Sequence, residues 1–254
     1  MYDIDNGKPI INRSAEETNM GFCISHPVIF EKKVNEKMSI VTVMYKPGLV
    51  IVGADRRVNL VSTTQTSMQT NHIKVKYIEK FNAILSAVGS LKYKDIWWDE
   101  YCEPMIEKCS RTSDFIESLE LRLNQDDYPL EIQITDHNNG MPEAYAYDVN
   151  KRRIINRSYD ERNNYLSDRI YYYGLTSLAN YIDFKSPPSF SDRDHLENYI
   201  KHFISSVIKI DEFSTKELSL FQSTKPALAG YPIDIISLDG SGVNTITVNS
   251  PYDL

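Results

Sequence analysis

Cysteine and histidine are the side chains whose spacing would reveal a metal or thiol centre, because both bind transition metals and thiolates are nucleophiles. The chain has three cysteines, and Cys102 and Cys109 are seven residues apart on a predicted helix. His195 and His202 have the same separation, and His137 has no partner at ligand spacing. Seven residues are about two helical turns, which does not suit a compact metal site. We therefore expect reduced cysteines that pack as small apolar or interface residues, with no metal and no cofactor.

The charge and hydropathy of the 254-residue chain argue against two classes of partner. Its net charge of -7 repels nucleic-acid phosphates, and lysine and arginine form no basic arm. The longest apolar stretches, such as 49–54 and 83–88, have the length of strands and are too short to cross a membrane. The start of the chain carries Asp3 and Asp5 and lacks the apolar run of a secretory signal. These features predict a cytoplasmic protein that binds neither nucleic acid nor membranes.

Alternating and wholly apolar segments predict many strands, interrupted by two pairs of helices. Strands are predicted at 39–45, 49–54, 72–79, 81–88, 130–135, 143–148, 152–156, 169–173, 233–238 and 243–248, and helices at 92–110, 114–123, 177–184 and 192–210. Because helices and strands are segregated along the chain, a parallel βα sheet is excluded. Ten strands are also more than one strongly twisted sheet holds comfortably. The expected fold class is α+β, a four-layer αββα sandwich of two antiparallel sheets. Residues 1–38 are polar and irregular and form a predicted extension before the domain 39–254.

Four segments carry a resemblance to a known family. Residues 39–57, SIVTVMYKPGLVIVGADRR, resemble the opening hairpin of the proteasome family of N-terminal-nucleophile hydrolases. Asn71–Gly89 is similar to the family's next hairpin, Tyr172–Ser177 to the glycine-led turn into its third helix, and Ala229–Asp234 to a later strand entry. The resemblance spans roughly residues 39–248 and implies the αββα fold. It also implies a ring of copies of this chain or of homologous subunits, with a peptide as substrate if the site is active.

The resemblance also implies a catalytic site. In active members, cleavage of a propeptide frees a threonine whose hydroxyl attacks a peptide carbonyl, while its own α-amine or a nearby lysine accepts the proton. The α-amine suits this role because its ordinary pKa of about 7.7 to 8.0 lies near working pH. Aligned on the family, Ser39 takes the nucleophile position, Asp55 the acidic position and Lys74 the lysine position. A serine keeps the required hydroxyl, and Asp55 could orient Lys74 through a charge-assisted hydrogen bond.

Three further residues are expected to support that site. Gly89 would supply a backbone N–H as oxyanion donor, since a glycine lets substrate approach the main chain. Arg57 stands beside the acidic position. The family's supporting serine falls at Leu175, where Thr176 is the adjacent hydroxyl.

A catalytically inactive ring or scaffold subunit with an uncleaved extension is the alternative interpretation. In that case Ser39 only begins a strand, Asp55 and Arg57 form an ion pair at a strand end, and Lys74 is solvated. A glycine usually precedes the nucleophile in self-processing members, and here Met38 stands there.

The later part of the implied network also departs from the family. The Asp and Ser that close the network fall near Pro226 and Ala229, with Ser223 or Thr224 as substitutes. A third hypothesis is an amidase of the same fold that acts on a small amide, since one fold hosts several chemistries.

Overall fold

The structure is a computed structural model of the chain, and it describes residues 39–46, 48–60, 68–138, 141–156, 169–174, 192–220 and 227–253. All of these residues belong to one compact unit, Asn35–Leu254. The predicted extension 1–38, the predicted helix 177–184 and Thr176 lie outside the described residues.

The described elements follow the predicted order of strands and helices closely. The strands are β1 (Ile40–Lys46), β2 (Leu49–Asp55), β3 (Arg57–Leu60), β4 (Met68–Asn71), β5 (Val75–Ile78), β6 (Ala83–Gly89), β7 (Lys92–Tyr93), β8 (Ile96–Trp97), β9 (Leu130–Asn138), β10 (Met141–Asp148), β11 (Arg153–Asn156), β12 (Arg169–Gly174), β13 (Ile233–Asp239) and β14 (Gly242–Val248). The helices are α1 (Trp98–Lys108), α2 (Thr112–Asp126) and α3 (Arg193–Leu220). A short 3-10 turn, Glu79–Phe81, joins β5 to β6.

Ten of these strands form two five-stranded sheets in which every pairing is antiparallel. The first sheet has the order β12-β1-β2-β13-β14, and the second has the order β11-β10-β9-β6-β5. The remaining strands pair as two small hairpins, β3 with β4 and β7 with β8. The fold is therefore α+β with two antiparallel sheets, which confirms the expected fold class at that level.

Strands β1 and β2 are buried along their whole length, because opposite faces of each strand enter different apolar clusters. Successive side chains of a strand point to opposite faces. Ile40 and Met44 of β1 pack with α3 residues such as Ile200. Val41 and Val43, the alternate residues, pack with residues of the second sheet. The hairpin that carries the predicted nucleophile and acid thus lies in the best-buried part of the described chain.

Helices α1 and α2 pack against the face of the second sheet that does not contact β1 and β2. Phe115 and Leu119 of α2 are fully buried there with Leu130 and Ile132 of β9. Within the described helices, no segment is both long enough and apolar enough to span a membrane.

The prediction of one helix over 92–110 is wrong in its first part. Residues 92–97 form the hairpin β7–β8, and α1 begins at Trp98. Lys94 and Asp95 have φ angles of 46° and 68°, which are left-handed and incompatible with an α-helix. Two consecutive left-handed residues instead make a tight hairpin turn.

Other parts of the described chain also differ from the predictions. The β3–β4 hairpin was not predicted, because its strands are only four residues long. The strand predicted from His72 begins only at Val75, and Ile73 is 40% exposed. Helix α3 continues to Leu220, ten residues beyond the predicted end at Ile210.

Candidate active site

Asp55, the last residue of β2, is the centre of the candidate site. Its carboxylate is fully buried. Oδ1 accepts hydrogen bonds from Ile40 N at 2.9 Å and Lys74 Nζ at 2.8 Å. Oδ2 accepts from Arg57 N and Gly230 N, both at 3.1 Å. These four donors satisfy a buried ionised carboxylate and bring β1, β2, the β5 segment and the 227–231 loop to one point.

Lys74, immediately before β5, is also fully buried, so the alternative that it is a solvated strand residue is wrong. Its Nζ donates to Asp55 Oδ1 at 2.8 Å and to the Arg57 carbonyl at 2.5 Å. Its own carbonyl accepts from Ala87 N of β6 at 2.9 Å. Burial lowers the pKa of the Lys74 ammonium, and the charge of Asp55 opposes that effect. An amine with a lowered pKa is suited to take up and return a proton near neutral pH.

Ser39 precedes β1 directly, and the peptide group that links it to Ile40 is held by Asp55. The Ser39 side chain is fully buried, and its hydroxyl has no hydrogen-bond partner among the described residues. Ile40 pairs with Gly174 of β12. A Cβ on Gly174 would lie 2.0 Å from the Ser39 carbonyl oxygen, and its φ is 90°. Only glycine fits there, which explains the glycine-led turn at this position.

Arg57 contributes its backbone and its side chain to different contacts. Its N–H donates to Asp55 and its carbonyl accepts from Lys74. Its guanidinium lies 3.5 Å from Glu212 of α3 and packs over Gly230, where a Cβ would meet Arg57 Cζ at 2.3 Å. The alternative in which Asp55 and Arg57 form an ion pair at the strand end is therefore wrong in its pairing. The carboxylate partner of Arg57 is Glu212.

Gly89 ends β6, two residues beyond the Ala87 amide that holds the Lys74 carbonyl. It has a φ of 91° and pairs with Leu130 of β9. Its role as an oxyanion donor stays a prediction.

The 227–231 loop contains a contact that was not predicted. Asp211 of α3 is buried, and its Oδ2 accepts hydrogen bonds from Leu228 N and from Ala229 N, the latter at 2.9 Å. A sequence signal for this contact exists, because Asp211 continues the buried apolar stripe of Ile204, Val207 and Ile208 at helical spacing. A carboxylate on such a stripe must find buried donors.

In the described ranges, no three His, Cys, Asp or Glu side chains come together so as to hold a metal ion.

The elements around Asp55 place this chain in an architectural class, the α+β proteins with two antiparallel sheets. Among solved structures, the fold is similar to that of the Anbu (Gly-1) mutant from Hyphomicrobium sp. strain MC1, with a TM-score of 0.59 and 10% sequence identity. The similarity covers 85% of this chain and 90% of that chain. At so low an identity it supports the fold alone. No family model matches the chain, and no curated protein matches its sequence.

Proposed function

We propose that this chain is a proteasome-like subunit of the N-terminal-nucleophile hydrolases, in which Ser39 becomes the N-terminal residue by autocleavage and then hydrolyses peptide bonds. The observation that carries the proposal is the shared acceptor Asp55 Oδ1. It binds both the buried ammonium of Lys74 and the amide that follows Ser39. One carboxylate oxygen thus fixes the proton acceptor and the nucleophile's peptide group together.

Processing and hydrolysis use the same nucleophile. In processing, Ser39 Oγ loses its proton as it attacks the Met38 carbonyl carbon, the bond from that carbon to the Ser39 nitrogen breaks as the nitrogen takes up that proton, and water hydrolyses the resulting ester. In turnover, the freed α-amine or Lys74 accepts the Oγ proton as Oγ bonds to the substrate carbonyl carbon. The peptide C–N bond then breaks, the leaving amine takes that proton, and water releases the acyl group from Ser39.

The buried environment of Lys74 supports its assigned role. Desolvation lowers the pKa of its ammonium, so the neutral amine is easier to reach than in a solvated lysine. Asp55 and the Arg57 carbonyl hold Nζ in one position. Gly89 N–H stabilises the oxyanion of the tetrahedral intermediate, and Thr176 supports the freed α-amine.

The whole-molecule part of the proposal concerns layers and assembly. The apolar clusters support a four-layer αββα stack, with α3 outside the first sheet and α1 and α2 outside the second. In this proposal the domain 39–254 assembles into a cytoplasmic ring of identical or homologous subunits. Residues 1–38 act as the propeptide.

The test combines intact mass and activity on the full chain. We expect purified protein to lose the mass of residues 1–38 and to cleave fluorogenic peptides, while Ser39→Ala keeps its full mass and loses cleavage. Ser113→Ala, at an exposed serine of α2, is the matched control and should process and cleave normally. A chain that keeps Met1 to Met38 and whose peptide cleavage is unaffected by Ser39→Ala sinks the proposal.

A catalytically inactive ring or scaffold subunit is the second candidate, and one observation favours it. Lys74 Nζ donates to Asp55 and to the Arg57 carbonyl, whereas the Ser39 hydroxyl has no partner among the described residues. For this candidate we expect an unprocessed, inactive chain whose molar mass, measured by light scattering, is that of a multi-subunit ring. A strictly monomeric inactive chain at all accessible concentrations, with candidate partners present, contradicts it.

A further inference from the structure

The loop 227–231 is fastened to α3 by a buried carboxylate. Asp211 Oδ2 accepts the N–H groups of two consecutive residues, Leu228 and Ala229. Both residues and Asp211 are buried. Hydrogen bonds to an ionised acceptor are roughly twice as strong as neutral ones. One side chain of α3 therefore fixes the backbone of the loop at two consecutive residues.

The next amide along that loop reaches the candidate active site. Gly230 N donates to Asp55 Oδ2 at 3.1 Å, while Asp55 Oδ1 receives Lys74 Nζ. Consecutive peptide groups therefore bind two different carboxylates, Asp211 through Leu228 and Ala229, and Asp55 through Gly230. A displacement of one end of this short segment must move the other.

The same turn of α3 braces the loop from a second side. Glu212 lies 3.5 Å from the guanidinium of Arg57, and that guanidinium packs against Gly230 so closely that no side chain fits there. Asn59 Nδ2 also donates to the Ala227 carbonyl at 3.2 Å. The loop is thus confined between α3 and the Arg57 side chain.

We propose that Asp211 is a positioning residue of the candidate active site, because it fixes the loop whose Gly230 amide holds Asp55 against Lys74. This inference rests on the proposed function for its catalytic meaning, but the coupling itself concerns only Asp211, the loop and the Asp55–Lys74 pair. The family resemblance predicts a serine near position 229, where this chain has Ala229. Here Asp211, which lies on α3, holds the backbone of the loop at that position instead.

The coupling has a direction. Without the Asp211 carboxylate the loop relaxes, and Asp55 loses the Gly230 N–H that holds its Oδ2 in place. A less well held Asp55 stabilises the Lys74 ammonium less, so Lys74 should titrate at lower pH. The charged groups that face Lys74 are Asp55 of β2 and Arg57 of β3, and Glu212 of α3 pairs with Arg57.

The test is a pH titration of the full chain labelled with ¹³Cε-lysine, with the Lys74 signal assigned from Lys74→Arg. We expect Asp211→Asn to lower the Lys74 titration midpoint by about half a pH unit or more. Asp194→Asn, at an exposed acid of the same helix, is the matched control and should leave the midpoint unchanged. An unchanged midpoint in folded Asp211→Asn overturns the proposal.

A second measurement needs no variant, in case Asp211→Asn does not fold. In the parent chain, the ¹⁵N shifts of Leu228 and Ala229 should change with the same midpoint as Lys74, because the loop and the ion pair move as one unit. Loop shifts that stay flat through the Lys74 titration overturn the proposal as well.

Activity separates this inference from the proposed function. If the chain cleaves peptides, the acidic limb of the pH profile of kcat/KM should shift down in Asp211→Asn together with the Lys74 midpoint. A shifted midpoint in a chain that cleaves nothing leaves the coupling intact and removes only the proposed hydrolysis. A cleaving chain with an unshifted midpoint removes only the coupling.

Discussion

Lys74 links the protonation of one residue to the stability of the whole protein. Burial lowers its pKa in the native state, so the unfolded chain binds more protons between that lowered pKa and the ordinary value of about 10.4. The free energy of unfolding therefore gains with rising pH across this window. Lys74→Met removes that gain, so the stability difference between parent and variant should grow toward alkaline pH. Urea unfolding at a series of pH values measures it.

At neutral pH the same variant leaves Asp55 buried without its ammonium partner, and we expect a loss of about 3 to 5 kcal/mol. Lys76→Met, at a lysine whose side chain is 42% exposed, is the control and should show neither effect. Tyr101 opposes the alkaline gain, because burial raises the pKa of its phenol, but it does so in both chains and cancels in the difference. A stability difference that is constant or shrinks toward alkaline pH contradicts this account.

The residues of the site differed in how far the sequence could reveal them. Asp55 ends the second strand of the first hairpin and Lys74 directly precedes β5, both next to segments with strong local patterns, and the structure brings them together at 2.8 Å. The position of Asp211 on the apolar stripe of α3 signals that it is buried, but not what it binds, because its partners are backbone amides 17 and 18 positions later and a backbone donor leaves no trace in residue type. The ion pair of Arg57 was assigned to the wrong acid for a related reason, since Glu212 lies far along the chain on α3.

Among the elements, the contact of α3 with β2 depends on the absence of one side chain. Gly53 lies in the middle of β2, and a Cβ there would meet Ile200 Cγ2 at 2.4 Å and Ile204 Cδ1 at 2.7 Å. Gly53→Ala therefore forces the Ile200 and Ile204 side chains, or α3 with them, to move away from β2. We expect a loss of about 1 to 3 kcal/mol in the free energy of unfolding, measured by urea titration.

A double-mutant cycle identifies the cause of that loss. Ile200→Ala removes the methyl group that a Cβ at Gly53 would strike. The double variant should then lose less than the sum of the single variants, by about 1 kcal/mol or more. Gly240→Ala, where nothing lies within 4 Å, is the control and should stay within about 0.5 kcal/mol of the parent. Additive losses would mean that the helix-to-sheet contact is not the cause.

Prediction of the elements succeeded where periodicity was strong and failed where backbone angles decided. The first hairpin and α2 have apolar patterns that only one type of element satisfies. Residues 92–97 also fit helical spacing, but Lys94 and Asp95 adopt left-handed angles that composition did not reveal. The β3–β4 hairpin has strands of only four residues, so its few apolar side chains, such as Val58 and Leu60, do not make a recognisable alternation.

For the molecule as a whole, segregation of strands and helices along the chain was enough to predict two antiparallel sheets. It could not predict which strand lies at which edge, because strand order depends on long-range pairing. β2 lies between β1 and β13, whereas β14, the last strand along the chain, is at the edge of the first sheet.

Strand position should govern how the native protein exchanges its amide hydrogens. Every residue of β2 is buried, so its amides should exchange only through global unfolding, whereas most of β14 is exposed and can fray locally. Hydrogen–deuterium exchange with mass spectrometry at low protein concentration should show peptides of β14 exchanging at least about 100-fold faster than those of β2. Low urea should accelerate amide exchange in β2 but hardly change it in β14, because only global opening exposes much new surface.

Equal protection of the two strands at every protein concentration would contradict the edge position of β14. Protection of β14 that rises with protein concentration would place this edge in a contact between chains, as the proposed ring requires of some surface.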